Sequence, residues 1–170
     1  MPKNSILGQP PSWIHAFSNL PVGHAVIPWS DLEPEQIITL QQAIRFEGWV
    51  PPELMPFDFA GKGIDGALPE QKLNLACTVW GEVVGWNFAH CINAQAARVS
   101  CTFVRPDLQQ QLFMLNLWRE VFVRLVDTEY RNISWAVCVK RNAMVNFNDK
   151  YMAPFLSQRS ETWGSSKVLN

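Results

Sequence analysis

The stretch Arg98-Val-Ser-Cys-Thr-Phe-Val-Arg-Pro-Asp107, with the segment Leu108–Asp127 directly after it, decides the fold. The first part is rich in β-branched and aromatic residues, which predicts a strand that ends at Pro106. In the second part apolar residues recur at steps of three and four, which predicts a long helix capped by Asp107. Such a junction points several backbone N–H groups at one spot and suits an anion. The alternative is an ordinary strand–helix unit of an α/β domain.

Further strands and helices are predicted on both sides of this unit. The segment Val22–Asp31 is expected to contain a strand that ends at Pro28, after which Ser30 and Glu33 have the spacing of a capping box that opens a helix. The segment Gly48–Glu70 is rich in proline and glycine and is expected to be irregular.

Two strand-like runs, Leu73–Trp80 and Val83–Ile92, are separated only by Gly81 and Glu82. This spacing predicts a β-hairpin with a glycine-first turn. After the long helix, Ile133–Lys140 is predicted to be a strand. A short helix near residues 142–148 and a polar C-terminal region, with room for two strands, complete the chain.

This order of elements resembles that of the GCN5-related N-acetyltransferase (GNAT) superfamily, from Val22 to the C-terminus. The resemblance implies an α/β fold with a mixed, mostly antiparallel central sheet flanked by helices. It also implies that the strand before Pro106 splays away from its neighbour, and that the pantetheine of acyl-CoA lies in the resulting cleft. We therefore expect an N-terminal extension over residues 1–21 that packs across the surface and an acyltransferase domain over residues 22–170.

The resemblance assigns cofactor-binding residues around the start of the long helix. The segment Gln109-Gln-Gln-Leu-Phe-Met114 stands where the family carries Arg/Gln-x-x-Gly-x-Gly/Ala. Leu112 and Met114 occupy the two small-residue positions, where a bare backbone lets phosphate oxygens come close. A weakened grip on the pyrophosphate and a donor held mainly through its pantetheine arm are both open. The residues expected to bind acyl-CoA are Phe103, Val104, Arg105, Gln109, Gln110, Gln111, Leu112, Phe113, Met114 and Asn142.

Amine acylation needs a neutral amine, a donor to the oxyanion and a proton source for the thiolate. His90 is the histidine on a predicted central strand, which makes it the candidate base, and the alternative is a structural histidine with satisfied nitrogens. The resemblance implies an oxyanion donor among the backbone N–H groups of Phe103 to Arg105.

The proton source is sought after the strand Ile133–Lys140. The family commonly has Asn-x-x-Ala-x-x-x-Tyr there, and the sequence has Asn142 but Asp149 at the tyrosine position. Tyr151, two residues later, is therefore the candidate acid. Asn142 is either a pantetheine contact or the cap of the short helix.

The chain has eight tryptophans, and their role is either core packing or the lining of an apolar channel. Trp49 is the best channel candidate, because it lies in the apolar loop Gly48–Phe59, which in the family borders the acceptor site. A loop this apolar is unusual for a solvated connection. The residues expected to bind substrate are Trp49, Phe57, Trp86 and Phe88.

The composition limits the function classes. A length of 170 residues suits one domain, and a formal charge of -1 makes nucleic acid an unfavourable partner. We find no apolar run near the ~20 residues of a membrane span and no signal peptide. The cysteines lack paired metal-ligand spacing, so we expect no metal, no disulfide framework and a cytoplasmic location.

Together these patterns predict an N-acyltransferase. It would move an acyl group, with a chain longer than acetyl favoured, from acyl-CoA or a carrier-protein pantetheine to a primary amine of a small molecule or peptide. The alternative is a catalytically silent module of the same fold that docks a hydrophobic peptide or an acyl carrier protein. Homodimerisation is left open.

Overall fold

The computed structural model describes residues 3–6, 12–15, 20–61, 66–109, 112–137, 141–156 and 158–160. Seven strands form one sheet in the order β2-β3-β4-β5-β6-β1-β7. Their bounds are β1 Lys3–Ile6, β2 His24–Pro28, β3 Leu75–Val79, β4 Glu82–Asn93, β5 Ala96–Val104, β6 Asn132–Ala136 and β7 Gln158–Ser160. Among the strand pairs in the described ranges, β5 and β6 run parallel and the others antiparallel. The predicted mixed, mostly antiparallel sheet is confirmed.

Helices cover both faces of this sheet. They are α1 Pro34–Glu47, α2 Pro56–Phe59, α3 Phe113–Leu125 and α4 Asn142–Phe147, and a π-helical turn, Asn148–Met152, continues α4. Residues of α1 and α2 pack with one core cluster, which contains Leu40, Trp86 and Phe88. Residues of α3 and α4 pack with the other cluster, which contains Val84 and Leu117. In the described part of the chain, no helix has the length and apolar character needed to cross a membrane.

The β3–β4 hairpin has a turn that differs from the predicted one. Its two central residues are Trp80 and Gly81, and both have positive φ values, 50° and 86°. Positive φ at both positions is the signature of a type I′ turn, so glycine stands second in the turn and not first. Trp80 holds a conformation that disfavours non-glycine residues, and its ring lies against Gly23, where an added Cβ would come within 2.4 Å of the indole.

The predicted helix caps are wrong at both long helices. Helix α1 starts at Pro34, and its capping residues are Glu33 and Gln36, whose Oε1 accepts the Glu33 N–H at 2.9 Å. Helix α3 starts at Phe113, because Pro106–Leu108 forms a separate 3-10 turn before it.

The predicted roles of the residues around these caps change accordingly. Ser30 lies in a 3-10 turn before α1, and its hydroxyl donates to Asp31. Asp107 accepts a hydrogen bond from Arg105 and does not cap α3. Hydrophobic periodicity predicted the position of α3. The first residues of the predicted helix form a 3-10 turn, so α3 begins later than predicted.

The N-terminal segment also differs from its predicted role. Strand β1 lies inside the sheet, between β6 and β7, and pairs antiparallel with both. Farther along, Ile14 is buried in the core beside α3. These parts of residues 1–21 complete the sheet and the core, and the separate behaviour of residues 22–170 as a domain stays a prediction.

Candidate functional site

A cleft opens where the parallel strands β5 and β6 separate. Their pairing runs from Ala96 opposite Asn132 to Val99 opposite Trp135. At this point the β4–β5 register also shifts, since Phe88 pairs with Cys101 whereas Ala89 pairs with Val99. Ser100 is therefore the extra residue of a β-bulge, an irregularity that bends a strand and can end its pairing with a neighbour. Beyond Val99, within the described residues, β5 has β4 on one side and an open cleft on the other.

Backbone N–H groups of β5 point into this cleft. The Arg105 N–H donates to the Val84 carbonyl of β4 at 2.8 Å. Because successive N–H groups of a strand point to opposite sides, those of Val104 and Thr102 point away from β4, toward the separated β6. The Val104 carbonyl, on the same side, accepts from the Gln109 side-chain amide at 3.0 Å. The cleft wall is thus a row of main-chain polar groups.

Two adjoining cavities fill the cleft. The smaller, of about 330 Å³, lies near the starts of α3 and α4 and is lined by Leu54, Thr102, Phe103, Val104, Gln109, Met114, Arg141, Asn142, Ala143, Met144 and Phe147. The larger, of about 500 Å³, is lined by Glu53, Leu54, Phe59, Val99, Ser100, Cys101, Thr102, Trp118, Trp135, Ala136, Val137, Arg141, Met144, Phe147, Asn148 and Met152. Both volumes lie in the range of small-molecule sites. The two cavities share five lining residues and form one continuous cleft.

One ion pair stands at this cleft. Arg141, just before α4, contacts the Glu53 carboxylate in the turn between α1 and α2. Both side chains line the larger cavity, whose remaining lining is mostly apolar. Cys101 also borders this cavity, and burial raises the pKa of its thiol to about 12, an effect that the Trp86 indole and the Arg141 charge only partly offset. The thiol is therefore neutral and is a poor nucleophile at neutral pH.

Five of the predicted cofactor residues come together here. They line the smaller cavity and are Phe103, Val104, Gln109, Met114 and Asn142. Gln110 and Gln111 lie outside the described residues. The shared position of the first five agrees with their predicted role, which itself stays a prediction.

The other three predicted cofactor residues have different surroundings. The Arg105 side chain pairs with Glu82 at 2.6 Å and with Asp107 at 2.8 Å. Phe113 is buried and stacks on His24. Leu112 is the exposed N-cap of α3 and has a φ of 63°, in the left-handed region that favours glycine. Leu112 thus holds a backbone conformation typical of glycine although it carries a large side chain.

The predicted catalytic residues lie outside the lining of both cavities. His90 is fully buried, and its ring nitrogens contact the Ser100 hydroxyl at 2.8 Å and the Gly61 carbonyl at 3.0 Å. The Tyr151 ring is half-buried and packs against Trp13 and Phe147. Tyr151 is not among the described residues that line either cavity, and its role as the acid stays a prediction.

The predicted substrate-binding residues pack in an aromatic cluster outside the described linings of the two cavities. Trp49 stacks on Phe103 at 5.7 Å and lies 5.9 Å from Trp86, measured between ring centroids. Phe57 and Phe88 both contact Trp29 edge-on. None of the four predicted residues is among the described residues that line the two cavities. Their role in substrate binding stays a prediction.

Several cleft residues were not predicted. They are Glu53, Leu54, Ser100, Cys101, Thr102, Arg141, Met144 and Phe147. Thr102 lies inside the stretch that predicted the splayed strand, so its position was within reach of the sequence. The bulge at Ser100 has no signature in the sequence, because alternation assigns side chains to faces only while the strand stays regular.

Similarity to known proteins is found at the level of structure. No family model matches the sequence, and no curated protein does either. Ard1 from Thermoplasma volcanium superimposes with a TM-score of 0.56 and 14% identity, over 77% of this chain and 82% of that one. Naa50 of Arabidopsis thaliana, in complex with the bisubstrate analogue CoA-Ac-MVNAL, has a TM-score of 0.54 and 11% identity, over 76% and 82%.

A third similar structure is an aminoglycoside acetyltransferase from an uncultured soil metagenomic sample, in complex with trehalose. Its TM-score is 0.53 at 10% identity, over 85% of this chain and 95% of that one. At such low identity the likeness concerns the fold, and the predicted GNAT-like architecture is confirmed.

Proposed function

We propose that this protein is an N-acyltransferase that uses an acyl-CoA thioester as donor and a primary amine as acceptor. The observation that carries the proposal is the cleft between β5 and β6, whose wall presents the N–H groups of Thr102 and Val104. A pantetheine arm carries amide groups that pair with such a strand edge much as a further strand would. The Naa50 structure, which has the same fold, contains a CoA-based bisubstrate analogue, and this supports the assignment.

The donor is oriented by the two ends of the cleft. The smaller cavity begins at Gln109 and Met114, next to the first turn of α3, whose free N–H groups suit a pyrophosphate. Its other end continues into the larger cavity, which would receive the thioester and the acyl group. The Thr102 N–H, which borders the larger cavity, then polarises the thioester carbonyl and stabilises the oxyanion that forms on attack, while the Val104 N–H, at the smaller cavity, pairs with a pantetheine amide.

The larger cavity indicates the acyl group. Its volume of about 500 Å³ exceeds what an acetyl group fills, and its deep part is formed by Trp118, Trp135 and Met152. Burying methylene groups against such side chains contributes about 0.8 kcal/mol for each CH₂. We therefore propose an acyl chain longer than acetyl, carried by CoA or by the pantetheine of an acyl carrier protein.

The acceptor is a primary amine of a small molecule or a peptide. The Glu53 carboxylate at the larger cavity would hold its ammonium form, while Arg141 keeps that carboxylate in place. The two similar structures point to both classes, since one contains a peptide-based bisubstrate analogue and the other is an aminoglycoside acetyltransferase.

Calorimetry with acetyl-, butanoyl-, octanoyl- and palmitoyl-CoA tests the donor. We expect binding that strengthens from acetyl to octanoyl, and release of free CoA thiol from the bound donor when primary amines are added. Absence of heat with every member of the series would contradict the proposal. Equal affinity for all members would contradict the acyl pocket and leave the donor class intact.

The second candidate is a catalytically silent binding module of the same fold. Leu112 in the proposed phosphate-binding loop favours it, and so does the position of Tyr151, which is not among the described residues that line the cleft. This candidate predicts that the thioester binds but is never consumed, or that only a hydrophobic peptide or acyl carrier protein binds. The same titrations, followed by an assay for free thiol, separate the two functions.

A further inference from the structure

We propose that Ser100 and His90 form a proton relay that deprotonates the acceptor amine, an inference that rests on the proposed function. The relay links the cleft to a buried base through one hydroxyl. Ser100 lines the larger cavity, and its Oγ lies 2.8 Å from His90 Nδ1. His90 itself is fully buried, and Ser100 is the described residue that both contacts the His90 ring and lines the cavity.

The hydrogen bonds of His90 determine which nitrogen is free to take a proton. Its Nε2 lies 3.0 Å from the Gly61 carbonyl oxygen, which can only accept, so Nε2 carries the hydrogen of the neutral ring. Nδ1 is then unprotonated and accepts from the Ser100 hydroxyl. An activated hydroxyl needs a neighbouring base and a third group that orients that base. Here these are the Ser100 hydroxyl, the His90 imidazole and the Gly61 carbonyl.

The bulge is the reason that this pair meets the cleft. In a regular strand Ser100 would have a partner residue in β4, and its side chain would lie on the face opposite to Val99 and Cys101. The register shift between Val99 and Cys101 leaves Ser100 without a partner in β4, so that its side chain is freed from this alternation. The Thr102 N–H, a proposed oxyanion donor, lies two residues farther along β5, or about 7 Å away. A tetrahedral intermediate and one water molecule span that distance.

The transfer balances without a further reactant. The acceptor ammonium passes one proton to Ser100 Oγ, directly or through one water, as the serine passes its own proton to His90 Nδ1. The neutral amine nitrogen forms a bond to the thioester carbonyl carbon, and the C–S bond breaks. The second nitrogen proton goes to the departing thiolate, and the imidazolium returns its proton through Ser100 to solvent.

The protonated His90 ring fits its surroundings without any change in its hydrogen-bond partners. Both of its N–H groups have acceptors, the Gly61 carbonyl and the Ser100 oxygen, so protonation leaves no buried donor unpaired. The charged and titratable groups around the relay are Arg98 opposite His90 in β5, Cys91 next to it in β4, Glu70 in the adjoining segment, and Glu53, Arg141 and Cys101 at the cavity.

The test follows cleavage of octanoyl-CoA with benzylamine and with a short peptide as acceptors, across pH, in the wild type and in four variants. We expect Ser100→Ala and His90→Gln each to lower kcat/KM at neutral pH by about 10²–10⁴. The loss shrinks as the pH nears the pKa of the free amine, where the acceptor is neutral without help. Ser100→Thr, which keeps the hydroxyl, retains most activity, and the Ser100→Ala/His90→Gln double variant is no slower than either single variant.

Two readouts separate the relay from a structural role. Affinity for octanoyl-CoA by calorimetry and the melting temperature are expected to change little in Ser100→Ala. Nitrogen-15 NMR of the imidazole in the wild type is expected to show the Nε2–H tautomer. A ring protonated at Nδ1, or octanoyl ester formation on Ser100 seen by mass spectrometry, overturns the relay.

The outcomes also separate the relay from the proposed function. An active wild type whose variants keep its rate and pH profile overturns the relay alone. A wild type that never cleaves octanoyl-CoA with these amines overturns the proposed function, and the relay with it.

Discussion

The aromatic cluster beneath α1 and the cleft between β5 and β6 share strand β5, yet one is filled and the other is hollow. In the cluster, Trp86 and Phe103 stack at 4.8 Å between ring centroids, and Trp86 is fully buried. In the cleft, Trp118 and Trp135 border about 500 Å³ of open space. Aromatic content is therefore no guide to a binding site in this protein. The difference comes from the backbone, because the cluster lies under paired strands and the cleft lies where pairing ends.

The largest expected effect is on the filled side. Trp86→Ala removes a fully buried indole and should lower the free energy of unfolding by about 3–5 kcal/mol. The control is Trp80→Ala, because that indole is 76% exposed and its loss should cost less than about 1 kcal/mol. Chemical denaturation measures both. Equal effects would mean that the aromatic cluster is not part of the stable core.

A pH titration compares a thiol in the filled core with a thiol at the cleft. Burial raises the thiol pKa of Cys77, in the core beside α3, and of Cys101, at the larger cavity, to about 12. Above pH 9 the unfolded chain loses these protons while the folded protein keeps them. The free energy of unfolding should therefore fall by up to about 1.4 kcal/mol per pH unit for each thiol, until the folded pKa is reached.

The measurement is denaturation between pH 8 and pH 11 for the wild type, Cys77→Ala and Cys101→Ala. Each variant is expected to show a shallower decline than the wild type. The slope of the free energy of unfolding against pH is compared with that of the wild type. If it changes in Cys77→Ala and not in Cys101→Ala, water in the cavity already solvates the Cys101 thiolate.

Filling the cleft should affect binding and leave stability unchanged. Ala143 is exposed on α4 and lines the smaller cavity. Ala143→Trp is expected to weaken octanoyl-CoA binding at least tenfold, or about 1.4 kcal/mol. The control, Asn146→Trp, adds the same indole to an exposed position of the same helix that is not part of the cavity lining. Unchanged affinity in Ala143→Trp would exclude the smaller cavity as the donor site.

The smallest expected effect concerns Leu112, which holds a glycine-type φ of 63°. Leu112→Gly relieves about 1–2 kcal/mol of backbone strain and costs about 0.5–1 kcal/mol in chain entropy, so stability should rise by about 1 kcal/mol or less. Affinity for octanoyl-CoA should rise several-fold, since phosphate can then approach the backbone.

Gly48 provides the matched control, because it has the same φ of 63° and open space around it. Gly48→Ala should destabilise the protein by about 1 kcal/mol without changing affinity for octanoyl-CoA. A Leu112→Gly variant with lower stability and unchanged affinity would show that the leucine is needed where it stands.

The order of strands and helices could be predicted because it depends on local patterns. Alternating and β-branched residues located β3, β4, β5 and β6, and the three- and four-residue apolar steps located α3. The predictions were wrong where the exact position of a helix cap or a turn depends on which of two neighbouring residues is used. Glu33 replaced Ser30 as a cap, and Trp80 with Gly81 formed the hairpin turn. Hydrophobic periodicity cannot distinguish such neighbours, since a shift by one or two residues leaves the buried face almost unchanged.

The candidate site could be predicted only in part. The sequence by itself determined that β5 runs into the segment of α3, because both patterns are local and adjoin in the chain. The family resemblance grouped Phe103, Val104, Gln109, Met114 and Asn142, and these residues line one cavity. The tertiary structure alone decided the bulge at Ser100, the contact of that hydroxyl with His90 and the Arg141–Glu53 pair across the cleft. The Arg141–Glu53 pair joins segments far apart in the chain, the Ser100–His90 contact depends on the bulge, and the cleft at which both lie depends on where β5 and β6 stop pairing. The residue at which β5 and β6 stop pairing cannot be determined from residues that merely favour strands and helices, because the same residues pack equally well in a sheet whose strands stay paired to their ends.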